Sequence, residues 1–216
     1  MKGNKVPIDK YKPENVAYYR EFLQTVEELD PRRIKFCDEK LLKGNEIFNK
    51  RGRRDPETGE VPEMTVDSDF RNTYSIVGFS GIDKKSPPVS FVIHEEKNDA
   101  TSFFEKVAEA IAEGFLRAGD VLVMDNAAIH LQGENDGLDD WLWENHRIAV
   151  LPLPTRSPEL NPIELTWRSL VSKLRALPLK TMERHNQHAT AKEASRILSD
   201  MSHKSIRASY RQCGYL

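Results

Sequence analysis

Val121-Leu122-Val123-Met124 and Ile148-Ala149-Val150-Leu151 are continuous apolar runs without polar alternation. Both are bounded by turn residues and are too short for core helices. Strands of this kind must be covered on both faces, which calls for a sheet, at least partly parallel, between layers of helix. The rest of the chain supplies those layers. Val16, Tyr19, Leu23, Val26 and Leu29 recur at three- and four-residue steps with Phe22 alongside. They predict a helix over Glu14–Leu29, ended by Asp30-Pro31. Ile34-Lys35-Phe36-Cys37 predicts a short strand that ends in Asp38-Glu39. Tyr74–Phe79 and Val89–Ile93 predict strands joined through a Gly81–Pro88 hairpin connection. A helix opened by Asp99 or Thr101 should run to about Leu116, and a shorter one over Leu138–Asn145. Another begins at Asn161-Pro162 and runs to about Leu177, and two more fill 189–200 and 203–212. Residues 49–72 show little periodicity and are expected to form an exposed loop. Antiparallel strands followed by βαβ units predict an α/β fold, a mixed sheet flanked by helices.

Composition narrows the class of molecule. Hydrophobic residues make up 38% of the chain and charged residues 31%, so a packed core is feasible and wholesale disorder is not expected. No apolar run approaches the ~18 residues of a membrane span and no leader opens the chain, so a soluble intracellular protein without a membrane partner is expected. With Cys37 and Cys213 as its two cysteines, the chain cannot be a disulfide scaffold or a cysteine zinc site. The net charge of −2 conceals an asymmetry: residues 61–164 carry −11 and residues 165–216 carry +7. A cation site beside a polyanion-binding surface has this pattern, and so does charge scattered over solvated faces.

Three carboxylates stand out by position. Asp38 follows the first short strand and Asp125 the buried Val121–Met124 strand, where the bland reading is a turn residue at a strand end. Glu164 lies in the first turn of the helix opened by Asn161-Pro162. Its bland reading is more specific, because Asn161, Pro162 and Glu164 resemble a capping box. If the three converge at one edge of the sheet, they repel one another unless cations are present. Hard oxygen ligands suit Mg²⁺ or Mn²⁺. Two such ions ~3.5–4 Å apart serve phosphodiester chemistry.

The residues around these acids also resemble a family. Phe36-Cys37-Asp38-Glu39, Met124-Asp125-Asn126-Ala127-Ala128-Ile129-His130 and Ser157-Pro158-Glu159-Leu160-Asn161-Pro162-Ile163-Glu164, closing at Trp167, look like the three signature blocks of the DDE transposase catalytic domain. The Tc/mariner group and its bacterial insertion-sequence relatives are the nearest in pattern. The resemblance spans roughly residues 30–175 and implies a ribonuclease-H-like fold. It implies that Asp38, Asp125 and Glu164 are catalytic residues binding two divalent ions, Mg²⁺ or Mn²⁺. Water would be the nucleophile for cleavage and a DNA 3′-hydroxyl the nucleophile for strand transfer. The 38 residues between Asp125 and Glu164 slightly exceed the family's usual spacing, and the Gly133–Gly137 loop can absorb the excess.

Around this site, Asn126, His130, Arg156 and Arg168 are candidates for DNA contact or for orienting the acids. Glu39 should point away from Asp38 by strand alternation, and Asn161 should cap its helix. Trp167 falls on an apolar stripe with Ile163, Leu170 and Leu174 and reads as core. Trp141 and Trp143, two apart on one helix, cannot both face inward. The chain divides into an N-terminal arm and helix (1–33), a catalytic domain (34–178) and C-terminal basic helices (179–216). The resemblance implies DNA, both transposon ends and target, as partner, and allows a homodimer. The expected compartment is the nucleus in a eukaryotic host and the cytoplasm otherwise. Helix-turn-helix domains usual in the family are not evident in the first 33 residues. A catalytically inactive or host-retained DNA- or protein-binding module is therefore the competing expectation.

Overall fold

The computed structural model describes residues 8–43, 56–60, 73–95, 100–125, 137–177 and 188–216. The strands are β1 (Ile34–Lys43), β2 (Thr73–Ser80), β3 (Val89–His94), β4 (Val121–Met124) and β5 (Ala149–Pro152). The helices are α1 (Pro13–Glu27), α2 (Ala100–Ala112), α3 (Leu138–His146), α4 (Pro162–Arg175), α5 (Ala189–Ser199) and α6 (His203–Gln212). The strands form one sheet in the order β3-β2-β1-β4-β5. β2 pairs antiparallel with β1 and β3, while β4 is parallel to β1 and β5 to β4. The short Gly81–Pro88 connection joins the antiparallel β2–β3 pair, and the crossover through α3 joins the parallel β4 and β5.

Alternation along the strands splits the core into two layers. Ile34, Phe36, Leu42, Ile76 and Val123 face one way, into a cluster with Phe22 of α1, Ile163, Trp167 and Leu170 of α4, and Ile197 and Tyr210 of α5 and α6. Cys37, Val77, Phe79, Leu122 and Met124 face the other way, against Phe103 and Val107 of α2 and Leu142 of α3. The apolar run of β4 is thus explained, since both faces of the sheet carry helices, whereas β5 lies at the sheet edge and is half-buried throughout rather than buried as expected.

The last two helices belong to this packing rather than to a tail. The buried Tyr210 hydroxyl donates to the carbonyls of Ile34 (2.8 Å) and Ser80 (3.1 Å), and the Tyr215 hydroxyl donates to the Leu160 carbonyl (2.7 Å). Phe36 meets both rings edge-on, with centroids 5.2 and 4.9 Å away. At the other end of the chain, the Tyr18 hydroxyl of α1 donates to the Pro152 carbonyl at 2.7 Å. The two tryptophans of α3 separate as alternation requires: Trp141 packs against Phe104 with centroids 4.7 Å apart, and Trp143 is 54% exposed. Most of the expected 49–72 loop, including Arg51, Arg53 and Arg54, lies outside the described residues. No helix among the described residues is long and apolar enough to cross a membrane.

Candidate active site

The sequence predicts that β1 ends at Asp38-Glu39, but β1 runs on to Lys43. The difference has a simple cause. Ile34–Cys37 pair in parallel with Val121–Met124, and that ladder stops where β4 stops. β1 continues because its other edge remains paired with β2 as far as Lys43 opposite Thr73. Asp38 is therefore the first β1 residue beyond the end of its parallel neighbour, and Asp125 is the first residue after β4. Since Cys37 is in register with Met124, the two aspartates follow paired residues at the same sheet edge. This is the carboxyl end of the parallel strands, the edge at which open α/β sheets generally bind their ligands.

Alternation puts Asp38 on the Phe36 face, beneath α4, and Glu39 on the Cys37 face. The Glu39 side chain is exposed. Its backbone N–H nevertheless donates to Asp38 Oδ1 at 2.8 Å. The other oxygen, Oδ2, accepts the indole N–H of Trp167 at 3.1 Å. Trp167 is thus a core residue, only 2% exposed, and also a polar partner of the candidate acid. Its burial follows from the local apolar stripe, whereas its bond depends on a residue 129 positions away.

Glu164 is exposed in the first turn of α4. The expected capping role of Asn161 is not observed: its side chain makes no cap hydrogen bond, and its buried Oδ1 has no partner. The backbone explains why. The Glu164 N–H, the donor that a cap side chain would take, bonds the Asn161 carbonyl at 3.2 Å. The Asn161 N–H, which a capping-box glutamate would need, bonds the Pro158 carbonyl at 3.0 Å. A short 3-10 turn at Pro158–Leu160 has already satisfied the helix start, so the Glu164 carboxylate is not drawn back into a cap.

Electrostatics ties the acids together. The half-buried Asp38 carboxyl is pushed up to about 7 from 3.8, first by burial and then by the Glu164 charge, with Asp125 adding to it. The Glu39 amide and the Trp167 indole oppose the shift by hydrogen bonding the charged form. Asp38, Asp125 and Glu164 are electrostatic neighbours rather than a closed ligand cage: among the described residues, no three His, Cys, Asp or Glu side chains are drawn tightly enough to hold one ion. The donor chemistry still fits a hard divalent cation. All donors are carboxylate oxygens, and each Asp38 oxygen accepts one protein hydrogen bond, leaving a lone pair for a ligand.

A groove of about 700 Å³ opens beside Glu164, lined by Lys40, Trp167, Arg168, Ser172 and Arg175 among others. Glu164, Arg168 and Arg175 are spaced four and seven residues apart along α4 and share one face. Lys40, which the sequence reading did not single out, follows Asp38 on the same face of β1. Arg156 lies in the loop before α4, where its charge adds slightly to that of Lys12, the main cause, in lowering the Asp9 carboxyl. Its backbone is left-handed (φ 54°), a conformation that costs a non-glycine residue about 1 kcal/mol or more. Asn126 and His130 lie outside the described residues.

With this geometry in view, comparisons place the chain among known proteins. A family model described as DDE superfamily endonuclease matches residues 34–185. The Mos1 strand transfer complex is similar in structure, with a TM-score of 0.69 at 16% identity over 99% of this chain and 62% of that one. The mariner Mos1 paired end complex with Mg gives 0.66 at 14% identity, over 99% and 64%. The catalytic domain of Mos1 mariner transposase gives 0.63 at 12% identity, over 100% and 94%. The chain spans less than two thirds of the longer Mos1 chains and nearly all of the catalytic domain. These likenesses show a ribonuclease-H-like fold. No curated protein sequence matches significantly.

Proposed function

The chain belongs to the family of DDE superfamily endonucleases, and from that premise we propose that it is a transposase-type catalytic domain that cuts and joins DNA phosphodiester bonds with divalent metal. The observation that supports this reading is the meeting of charge at one sheet edge, where, after burial, Glu164 and then Asp125 raise the Asp38 carboxyl. Asp38, Asp125 and Glu164 would hold two ions, Mg²⁺ or Mn²⁺. When bound, two such ions supply Lewis-acid stabilisation of the attacking and leaving oxygens. The Mos1 complex with Mg supports the choice of metal. The protein's own part is to fix the carboxylates, to align DNA and to admit water or a 3′-hydroxyl in line with the scissile bond.

Alignment falls to the groove beside Glu164, where Lys40, Arg168 and Arg175 can neutralise backbone phosphates flanking the cut. Asn126, His130 and Arg156 are proposed as further phosphate or carboxylate contacts, while Glu39 contributes its amide rather than its side chain. Arg168→Ala should weaken DNA binding similarly for all sequences and lower the slope of log affinity against log salt by about one. Fluorescence-anisotropy titrations at several salt concentrations measure it, and an unchanged slope would remove Arg168 from the interface. Action on two DNA ends by a homodimer, in whichever compartment holds the host DNA, belongs to the same proposal.

Nicking of supercoiled plasmid with Mn²⁺ tests the reading. The wild type should nick and Asp125→Asn should not. Equal nicking by both would exclude Asp125 from the chemistry. Absence of nicking by either, with DNA binding retained, would favour an inactive binding module on the same fold.

A further inference from the structure

The Trp167 indole does not sit over Asp38 by side-chain packing alone; the sheet is cut away to receive it. Gly78 of β2 is the residue paired with Asp38 across the β1–β2 ladder. A Cβ at Gly78 would lie 2.4 Å from Trp167 Cη2 and 2.9 Å from Cζ2, distances no real methyl group can occupy. Glycine inside a strand paired on both edges thus lets the six-membered ring lie against the sheet backbone. That contact sets the ring so that its N–H meets Asp38 Oδ2 at 3.1 Å. With the Glu39 amide on Oδ1 at 2.8 Å, each carboxylate oxygen is held by a separate donor. Two donors on two oxygens fix the plane of the carboxylate, which a single bond would leave free to turn. Phenylalanine or leucine would fill the same core position but could not donate.

We infer that Trp167, seated in the gap that Gly78 leaves, is a positioning residue that holds the Asp38 carboxylate in the orientation required to receive a divalent cation. The inference rests on the metal-dependent reading above and adds a residue that acts through Asp38 rather than on DNA. Its role parallels the hydrogen-bonded partners that orient metal-binding carboxylates generally, whose loss weakens metal affinity about 10–100-fold.

The test is a Mg²⁺ titration of the ¹⁵N-labelled full chain, read from the Asp38 and Glu39 amides and from the indole resonances. The chain has three tryptophans, so substitution assigns the indole signals directly. In the wild type, Mg²⁺ should shift the Trp167 indole resonance together with the Asp38 and Glu39 amides. Trp167→Phe should weaken Mg²⁺ binding at least roughly ten-fold while leaving the amide spectrum of residues remote from Asp38 in its native pattern. Equal Mg²⁺ affinity in the Phe variant would overturn the inference and leave the proposed function standing. No Mg²⁺-dependent shift at Asp38 or Glu39 in the wild type would overturn both. Should Trp167→Phe fail to fold, Asp38→Ala decides with the indole intact. Its Trp167 resonance should move from the wild-type position and no longer respond to Mg²⁺, and an unmoved resonance would overturn the inference.

Discussion

Asp38→Asn should abolish metal-dependent nicking and, in metal-free buffer, make the protein more stable as pH rises. The loss of activity follows if Asp38 holds metal: Lewis-acid stabilisation is worth several kcal/mol, or at least about a thousandfold in rate. The gain in stability follows from the same carboxylate. In the unfolded chain Asp38 loses its proton near 3.8, whereas in the folded protein burial, Glu164 and Asp125 hold it protonated up to about 7. Between these values the folded state binds more protons than the unfolded state. Raising the pH through that window therefore lowers stability, with no penalty below about 4 and the full penalty above about 7. The displacement corresponds to roughly 4 kcal/mol at most, reduced because solvent still reaches the half-buried side chain. Asparagine keeps the shape and an oxygen acceptor for Trp167 but carries no charge. Urea unfolding in chelator at about pH 5 and about pH 8 measures the effect. Stabilisation at the higher pH alone is expected, and a large destabilisation at both would identify a structural aspartate.

A chain ended before Ala189 should lose cooperative folding. Ala194, Ile197, Leu198, Met201, Ile206, Tyr210 and Tyr215 share one buried cluster with Ile34, Phe36 and Trp167. Fully burying each large apolar side chain contributes about 1.5–3 kcal/mol, so their sum is comparable to the whole stability of a typical domain. Removing α5 and α6 would also strip the Tyr210 hydroxyl from the Ile34 and Ser80 carbonyls and the Tyr215 hydroxyl from Leu160. The last bond steadies the 3-10 turn just before Glu164, so the C-terminal residues support the site as well as the core. A single substitution isolates part of this. Tyr210→Phe should cost about 1–3 kcal/mol, because two buried carbonyls lose their shared donor. A sigmoidal unfolding curve with a native-like midpoint in the truncated chain would show that the last two helices are dispensable.

How far the site could be read from sequence depended on how local its causes are. The β4 and β5 strands were legible because an unbroken apolar run has few other uses, and Asp125 was legible as the residue that ends one of them. The end of β1 was misplaced because strand length was decided by β2, a partner about forty residues away, and not by the β1 residues themselves. The Asn161 cap was misjudged for a related reason. Its residue types suit a cap, but the Pro158–Leu160 turn had already supplied the helix start with backbone partners. Gly78 carried a visible signal, glycine within a strand, yet nothing local says which distant ring fills the space.

The sequence by itself determined the kind of fold, through apolar periodicity, and which three acids the proposed site uses, through motifs in which each acid has characteristic neighbours. Both are properties of short stretches, and short stretches are what a chain states directly. Only the tertiary structure decided that Asp38 lies beyond the end of a parallel ladder, with its charge facing Glu164 and its oxygens held by Glu39 and Trp167. Only the tertiary structure, too, brought the last helices under Phe36. Those outcomes depend on register and on side chains far apart in sequence competing for the same space and the same donors, and neither is encoded at any one position.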